Sequence, residues 1–325
     1  MVCRIMKLAM MLPAKPDLKW TLARQVGVEY AVTKAASDLS GLPPPWEFDS
    51  LRETARRFEE QGFRLCALEG DEFDMSRIKL GLPGRDEDIE HYRMLLRNMG
   101  RLGIGLLCYN FMAGVGWFRT RFDRPERGGA LTSEFNRAEL PPEPEEPVVT
   151  HEQMWRNYEY FLRAVIPVAE EAGVKLGLHP DDPPIPQLCG YSRIFTSADA
   201  YRRALALVES PCHGVTFCQA TFRAMGEDVF ALAQEFCRKK KLFFFHFRDI
   251  EGSAEHFHET FHDNGPTDMP ALLALLRANG FDGLVRPDHT PTLAGERNDN
   301  PGYEMLGNLF AVGYIRGILD TLNLK

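Results

Sequence analysis

Short apolar runs alternate with segments of helical period along the whole chain, and this alternation restricts the fold more than any other feature. The runs cover residues 5–12, 28–32, 63–69, 104–110, 175–179, 214–218, 242–248 and 283–287. Between them, apolar residues recur at three- and four-residue steps. The spacing predicts helices over 152–172 (Trp155, Tyr158, Leu162, Val165, Ala169), 85–102 (Ile89, Tyr92, Met99) and 268–279 (Met269, Leu272, Leu273, Leu276). Parallel strands need long crossovers, which helices supply. Eight such units predict an α/β fold, a (β/α)8 TIM barrel, with residues 1–325 forming one domain. An open doubly wound sheet would carry a Gly-rich phosphate turn, and no GxGxxG or Walker A pattern is present. Runs such as Leu242-Phe-Phe-Phe-His246 have no polar alternation, which fits strands buried on both faces.

Three connectors are long: 111–150, 180–197 and 249–267. The first ends in Leu140-Pro-Pro-Glu-Pro-Glu-Glu-Pro147, which cannot be regular. All three follow predicted strands, so they belong on the C-terminal face, where barrel enzymes keep their sites.

Composition narrows the function. Hydrophobic residues make up 44% and charged residues 26%, a globular balance. The net charge of −8, without clustered Lys and Arg among aromatics, argues against nucleic acid as a partner. Seven cysteines with no CxxC pair suggest a reducing compartment, so a cytoplasmic location is expected. No apolar run is long enough to span a membrane, and residues 1–12 are interrupted by Arg4 and Lys7, which reads as a strand rather than a signal peptide.

Four successive strands end on metal-ligand residue types: His179, Cys218, His246 and Asp288. Strand ends converge at a barrel mouth, so these residues can meet although they are far apart in sequence. Each alone has a plainer reading, as a structural His, a small buried Cys or a capping Asp. The case for a divalent-metal site rests on their equivalent positions. The Cys favours Zn2+ or Co2+, whereas Asp and a hydroxy-acid substrate favour Mn2+ or Mg2+. The segment His258-Glu-Thr-Phe-His262 matches the HExxH zinc-protease pattern, which requires a helix. Its flank Asp263-Asn-Gly-Pro266 favours a loop, so His258 is expected to contact substrate from a loop over the mouth.

Several longer segments carry a resemblance. They include Leu80-Gly-Leu-Pro-Gly-Arg-Asp-Glu-Asp-Ile-Glu90, Leu107-Cys-Tyr-Asn-Phe-Met112, Trp117-Phe-Arg-Thr120, Leu178-His-Pro-Asp-Asp-Pro-Pro184, Thr216-Phe-Cys218, His246-Phe-Arg-Asp249, Arg286-Pro-Asp-His289 and Pro301-Gly-Tyr303. Together they resemble the D-mannonate dehydratase family, of the xylose-isomerase-like barrel group. The resemblance implies dehydration of D-mannonate, or a related aldonate, to 2-keto-3-deoxy-D-gluconate, with Mn2+ or Mg2+ as cofactor. It implies His179, Cys218, His246 and Asp288 as the metal shell and His289 and Tyr303 as the acid/base pair. Tyr109, Asn110, Arg248 and Arg286 would hold the small sugar-acid substrate. Such proteins are often dimers or larger, so a homo-oligomer is expected. Departures from the family's usual text fall at Gln219-Ala-Thr221, at Thr290 and at Glu304-Met-Leu-Gly307. They keep open a second reading, a metal-dependent sugar isomerase, epimerase or keto-sugar lyase on the same barrel.

Overall fold

Eight parallel strands close into a barrel in a computed structural model that describes residues 6–323. They are β1 (Lys7–Met11), β2 (Tyr30–Thr33), β3 (Arg64–Glu69), β4 (Leu106–Tyr109), β5 (Lys175–Leu178), β6 (His213–Cys218), β7 (Leu242–Phe247) and β8 (Leu284–Pro287). Sequence neighbours pair all the way round, and β8 closes on β1 with Lys7 opposite Leu284 and Leu8 opposite Val285. Each observed strand falls within or beside a run expected from the sequence; Ile5, placed in the first run, lies outside the described residues. Every residue of β6, β7 and β8 is buried, including the polar His213, Thr216, His246 and Arg286.

Side chains alternate between the helix-facing and inward sides of each strand. The inward positions Ala9, Val32, Ala67, Leu106, Phe244 and Leu284 form their own apolar cluster, separate from the large one between strands and helices. The step of two above that plug is polar: Ala67 is followed by Glu69, Leu106 by Cys108, Thr216 by Cys218, Phe244 by His246, and Leu284 by Arg286 and then Asp288. Gly177 keeps the inner layer open, because a Cβ there would lie 2.6 Å from Thr216 Oγ1.

The predicted helices appear at Arg85–Arg101, His151–Ala172 and Met269–Ala278. Thr150 and Gln153 form a reciprocal capping box at the start of the second, and Asp268 caps the third by accepting from Ala271 N–H. The first two pack closely where Gly100 meets the Ala172 carbonyl.

The long connectors are more ordered than the sequence suggests. Strands Arg121–Pro125 and Leu131–Asn136 from the first connector join Ile250–Ser253 and His256–Glu259 from the third in one antiparallel sheet. Phe257 pairs with Phe135 across it, and both pack with Ile185, Leu188, Ala220 and Ile250 on the barrel rim. The Pro-rich stretch 140–147 stays irregular. Among the described residues, no helix is long and apolar enough to cross a membrane.

Gly100→Ala tests the helix contact. Its Cβ would lie 2.4 Å from Ala172 O, and overpacking of this kind costs about 1–3 kcal/mol, offset by up to ~1 kcal/mol of helix propensity. A net fall in melting temperature is expected in a thermal melt.

Candidate active site

His179 follows β5, Cys218 ends β6, His246 lies in β7 and Asp288 follows β8. One donor atom from each lies within 4.8 Å of all the others. His179 Nδ1 is 2.7 Å from the Pro180 carbonyl and so carries its proton, which leaves Nε2 bare. His246 is fully buried, and neither ring nitrogen has a hydrogen-bond partner. Its Nδ1 lies 3.5 Å from Asp288 and its Nε2 lies 3.6 Å from Glu69.

The electrostatics favour a cation at this point. Burial pushes the Cys218 thiol up, but the Arg248 guanidinium with His179 and His246 holds it well below its ordinary value. Arg248 Nη1 and Thr221 Oγ1 donate to the sulfur at 3.4 and 3.1 Å. Burial also opposes ionisation of Asp288, yet Arg286, His289 and His246 hold it well below the carboxylate range. For His246, burial and Arg286 disfavour the charged ring, but Glu69 and Asp288 outweigh them and raise its affinity for a proton.

This cluster sits in a buried ionic network. Arg119 donates to both oxygens of Asp182, at 2.6 and 3.0 Å, and to Glu259 at 2.7 Å. Arg248 donates to Glu259 at 2.8 and 3.1 Å and to Asp182 at 2.8 Å. Arg286 pairs with Glu69 and, at 3.0 Å, with Asp288. Three guanidinium groups thus face four carboxylates and a thiolate, an excess of two negative charges when the imidazoles are neutral. Two imidazole nitrogens, a thiolate and a carboxylate around such a centre fit a divalent cation.

Two further groups converge on Asp288. Tyr303 donates its hydroxyl to Asp288 Oδ1 at 3.2 Å; burial and that carboxylate keep the phenol protonated, its pKa well above the ordinary value. His289 has φ +44°, a left-handed conformation rare outside glycine. This turn sets its Nδ1 3.2 Å from Glu259 and its Nε2 3.6 Å from Asp288. Its ring packs between Trp117, with centroids 4.8 Å apart, and Tyr303 at 5.5 Å. Thr290 then bridges Gly302 backbone to backbone, which returns Tyr303 to the site. A cavity of about 150 Å³ is lined by Glu69, Asn110, His179, Asp288, His289 and Tyr303.

Of the other expected substrate contacts, Tyr109 and Asn110 line the cavity, whereas Arg248, Arg286 and His258 do not. Tyr109 is among the residues that line the cavity, but its hydroxyl is engaged elsewhere, 2.9 Å from Tyr158 and 3.3 Å from His213 Nε2. Arg248 and Arg286 are locked onto carboxylates and do not line the cavity, so they hold the site's charge rather than reach into it. Asn110 lines the cavity, with Oδ1 accepting from Lys79 Nζ at 2.9 Å. His258 is on a strand, not on a loop over the mouth. Alternation buries Phe257 and Glu259 and turns His258 the other way, 3.6 Å from Glu251. The HExxH pattern therefore spans no helix, and His262 stacks against Phe247 instead of a metal. None of residues 219–221, 290 or 304–307 lines the cavity. Gln219 bonds Thr267 and Asp249, and Thr290 bonds Asn308.

Glu69, Asp182, Glu259, Arg119 and Trp117 carry no assigned role in the sequence reading. Asp182, Arg119 and Trp117 stand inside segments that carry the resemblance, and Glu69 ends β3 as the ligands end theirs. Glu259 was legible as part of the HExxH pattern and of Phe257-His-Glu259, a further segment that carries the resemblance.

The D-mannonate dehydratase (UxuA) family model matches residues 6–150 and 145–325. A mannonate dehydratase of Streptococcus pneumoniae (strain 70585) is 31% identical over 307 residues, covering 85% of this chain and 83% of that one. One from Enterococcus faecalis (strain ATCC 700802 / V583) is 32% identical over 317 residues, covering 86% and 87%. The solved mannonate dehydratase from Streptococcus suis serotype2 superposes with a TM-score of 0.88 at 30% identity, over 98% of this chain and 93% of that one. L-ribulose 3-epimerase shares the fold, with a TM-score of 0.62 at 13% identity over 98% of this chain and 96% of that one.

The network has a stability signature. Burial raises Glu69 and Glu259, but Arg286 with His246, and Arg248 with His289 and Arg119, bring both down from 4.5 to about 2. Depressed carboxylates contribute stability that is complete above their unfolded pKa and is lost as pH falls. The metal-free protein should therefore melt progressively lower between pH 4.5 and 2. Arg119→Met leaves Asp182 and Glu259 short of a partner, should cost about 3–5 kcal/mol at neutral pH, and should flatten that acid dependence in thermal melts.

Proposed function

The chain belongs to the D-mannonate dehydratase family, and from that premise we propose that it converts D-mannonate to 2-keto-3-deoxy-D-gluconate with Mn2+, or Mg2+, at His179, Cys218, His246 and Asp288. The reaction is a hydro-lyase step. The observation that carries the reading is the convergence of Tyr303 and His289 on Asp288 at the wall of one small cavity.

The step breaks the C2–H and C3–O bonds of the aldonate, forms a C2–C3 double bond and leaves an enol that becomes the 2-keto acid. A divalent ion held by His179, Cys218, His246 and Asp288 would supply Lewis acidity that makes the proton α to the carboxylate removable. His289 Nδ1 faces the ionised Glu259 and carries a proton, so Nε2 is the nitrogen free to take the C2 proton. Tyr303, protonated beside Asp288, delivers a proton to the departing 3-hydroxyl. Trp117 covers one face of His289 and limits water at the base. The six described cysteines are free, which supports a cytoplasmic setting.

Chelated protein, reloaded with Mn2+ and given D-mannonate, should release 2-keto-3-deoxy acid only with the ion. Tyr303→Phe and His289→Gln should each lower kcat by about 10²–10⁴-fold while Mn2+ affinity stays near that of the parent. Near-full turnover in both variants contradicts the assignment. Product that conserves the substrate's mass supports the isomerase or epimerase reading.

A further inference from the structure

The reaction cavity opens into a second chamber of about 540 Å³, and Gly70, Asn110, Met112 and Trp117 line both. Trp117 also borders a third cavity, beside Tyr303, so it stands at the junction of all three. Its indole Nε1 is buried and has no hydrogen-bond partner. A donor of this kind is costly to leave unsatisfied unless a ligand meets it.

The second chamber is polar and held in shape. Lys79 is buried and donates to Asp71 at 2.6 Å and to Asn110 at 2.9 Å, so its charge is used within the wall. Lys34 borders the chamber and makes no hydrogen bond or ion pair among the described residues. Asp38, Asp71 and Asp74 line the chamber with these two lysines, an excess of one negative charge. Free donors and acceptors on both sides suit hydroxyl groups, whereas the negative balance disfavours a second carboxylate.

We propose that this chamber is the subsite for the far end of the substrate, and that Trp117 Nε1 and Lys34 donate to the C5 and C6 hydroxyls of a six-carbon aldonate. The inference rests on the aldonate reading above and sharpens it: the chain selects acids with a neutral polyhydroxyl tail and discriminates against diacids. Lys34 acts on the tail alone, and Trp117 acts there through Nε1 while its ring stays against His289.

The test measures binding by calorimetry in the Mn2+-loaded Tyr303→Phe background, where turnover is slowed, and assays 2-keto-3-deoxy acid separately with Tyr303 in place. The probes are D-mannonate, L-erythronate (the same C2 and C3 configuration without C5 and C6) and D-mannarate, which carries a second carboxylate. The parent should bind D-mannarate at least tenfold more weakly than D-mannonate. Lys34→Met should weaken D-mannonate about tenfold and L-erythronate less than twofold, and Trp117→Phe should show the same selectivity. Equal losses for both acids would place Lys34 at the carboxylate end and overturn the proposal. So would an unaltered D-mannonate affinity, or D-mannarate binding as tightly as D-mannonate. Tail-selective losses without 2-keto-3-deoxy acid from any probe would uphold the subsite and defeat the dehydration reading instead.

Discussion

The site depends on a buried excess of negative charge around Asp288. Ionised groups leave water only when paired, and a buried pair with one member missing is strongly destabilising. Here three arginines neutralise part of what Glu69, Asp182, Glu259, Asp288 and the Cys218 thiolate bring. His246, caught between two carboxylates without a hydrogen bond, marks where the remaining charge falls. A proton fills that role poorly, because it blocks one imidazole nitrogen. Under the proposed metal assignment, a divalent ion would fill it by drawing on His179, Cys218, His246 and Asp288 together.

The barrel produces this concentration through period two. In β3, β7 and β8 one inward position is apolar and plugs the barrel, and the next, two residues on, is Glu69, His246 or Arg286 at the mouth. The antiparallel sheet then supplies what the strands lack. Glu259 lies on one of its strands and Arg119 just before another, and both reach the same network from outside the barrel. The cover and the metal centre are one electrostatic unit, so the cover's position is tied to the charge beneath it.

The strands and main helices were legible because their signals are local: apolar runs and three- and four-residue spacing. The clustering of the four ligand types was legible because successive strand ends must converge. The cover sheet was not, because Phe135 and Phe257 pair across more than a hundred residues and each strand is short and half polar. Orientation failed for the same kind of reason. Tyr109 is one position from Cys108, and that single step turns its hydroxyl to the outer layer; His258 is one position from Glu259 and turns away likewise. Arg248 and Arg286 read as substrate clamps while the carboxylates that occupy them went unassigned. The left-handed turn lies at His289, one residue before the Thr290 departure, and no local text announces it.

The most direct test of this account is a calorimetric titration of the chelated protein with Mn2+, repeated on Cys218→Ser. The account predicts one ion bound per chain, a rise in melting temperature on binding, and at least tenfold weaker affinity in the variant. A parent that takes up no ion, or a variant that binds as tightly as the parent, would contradict it.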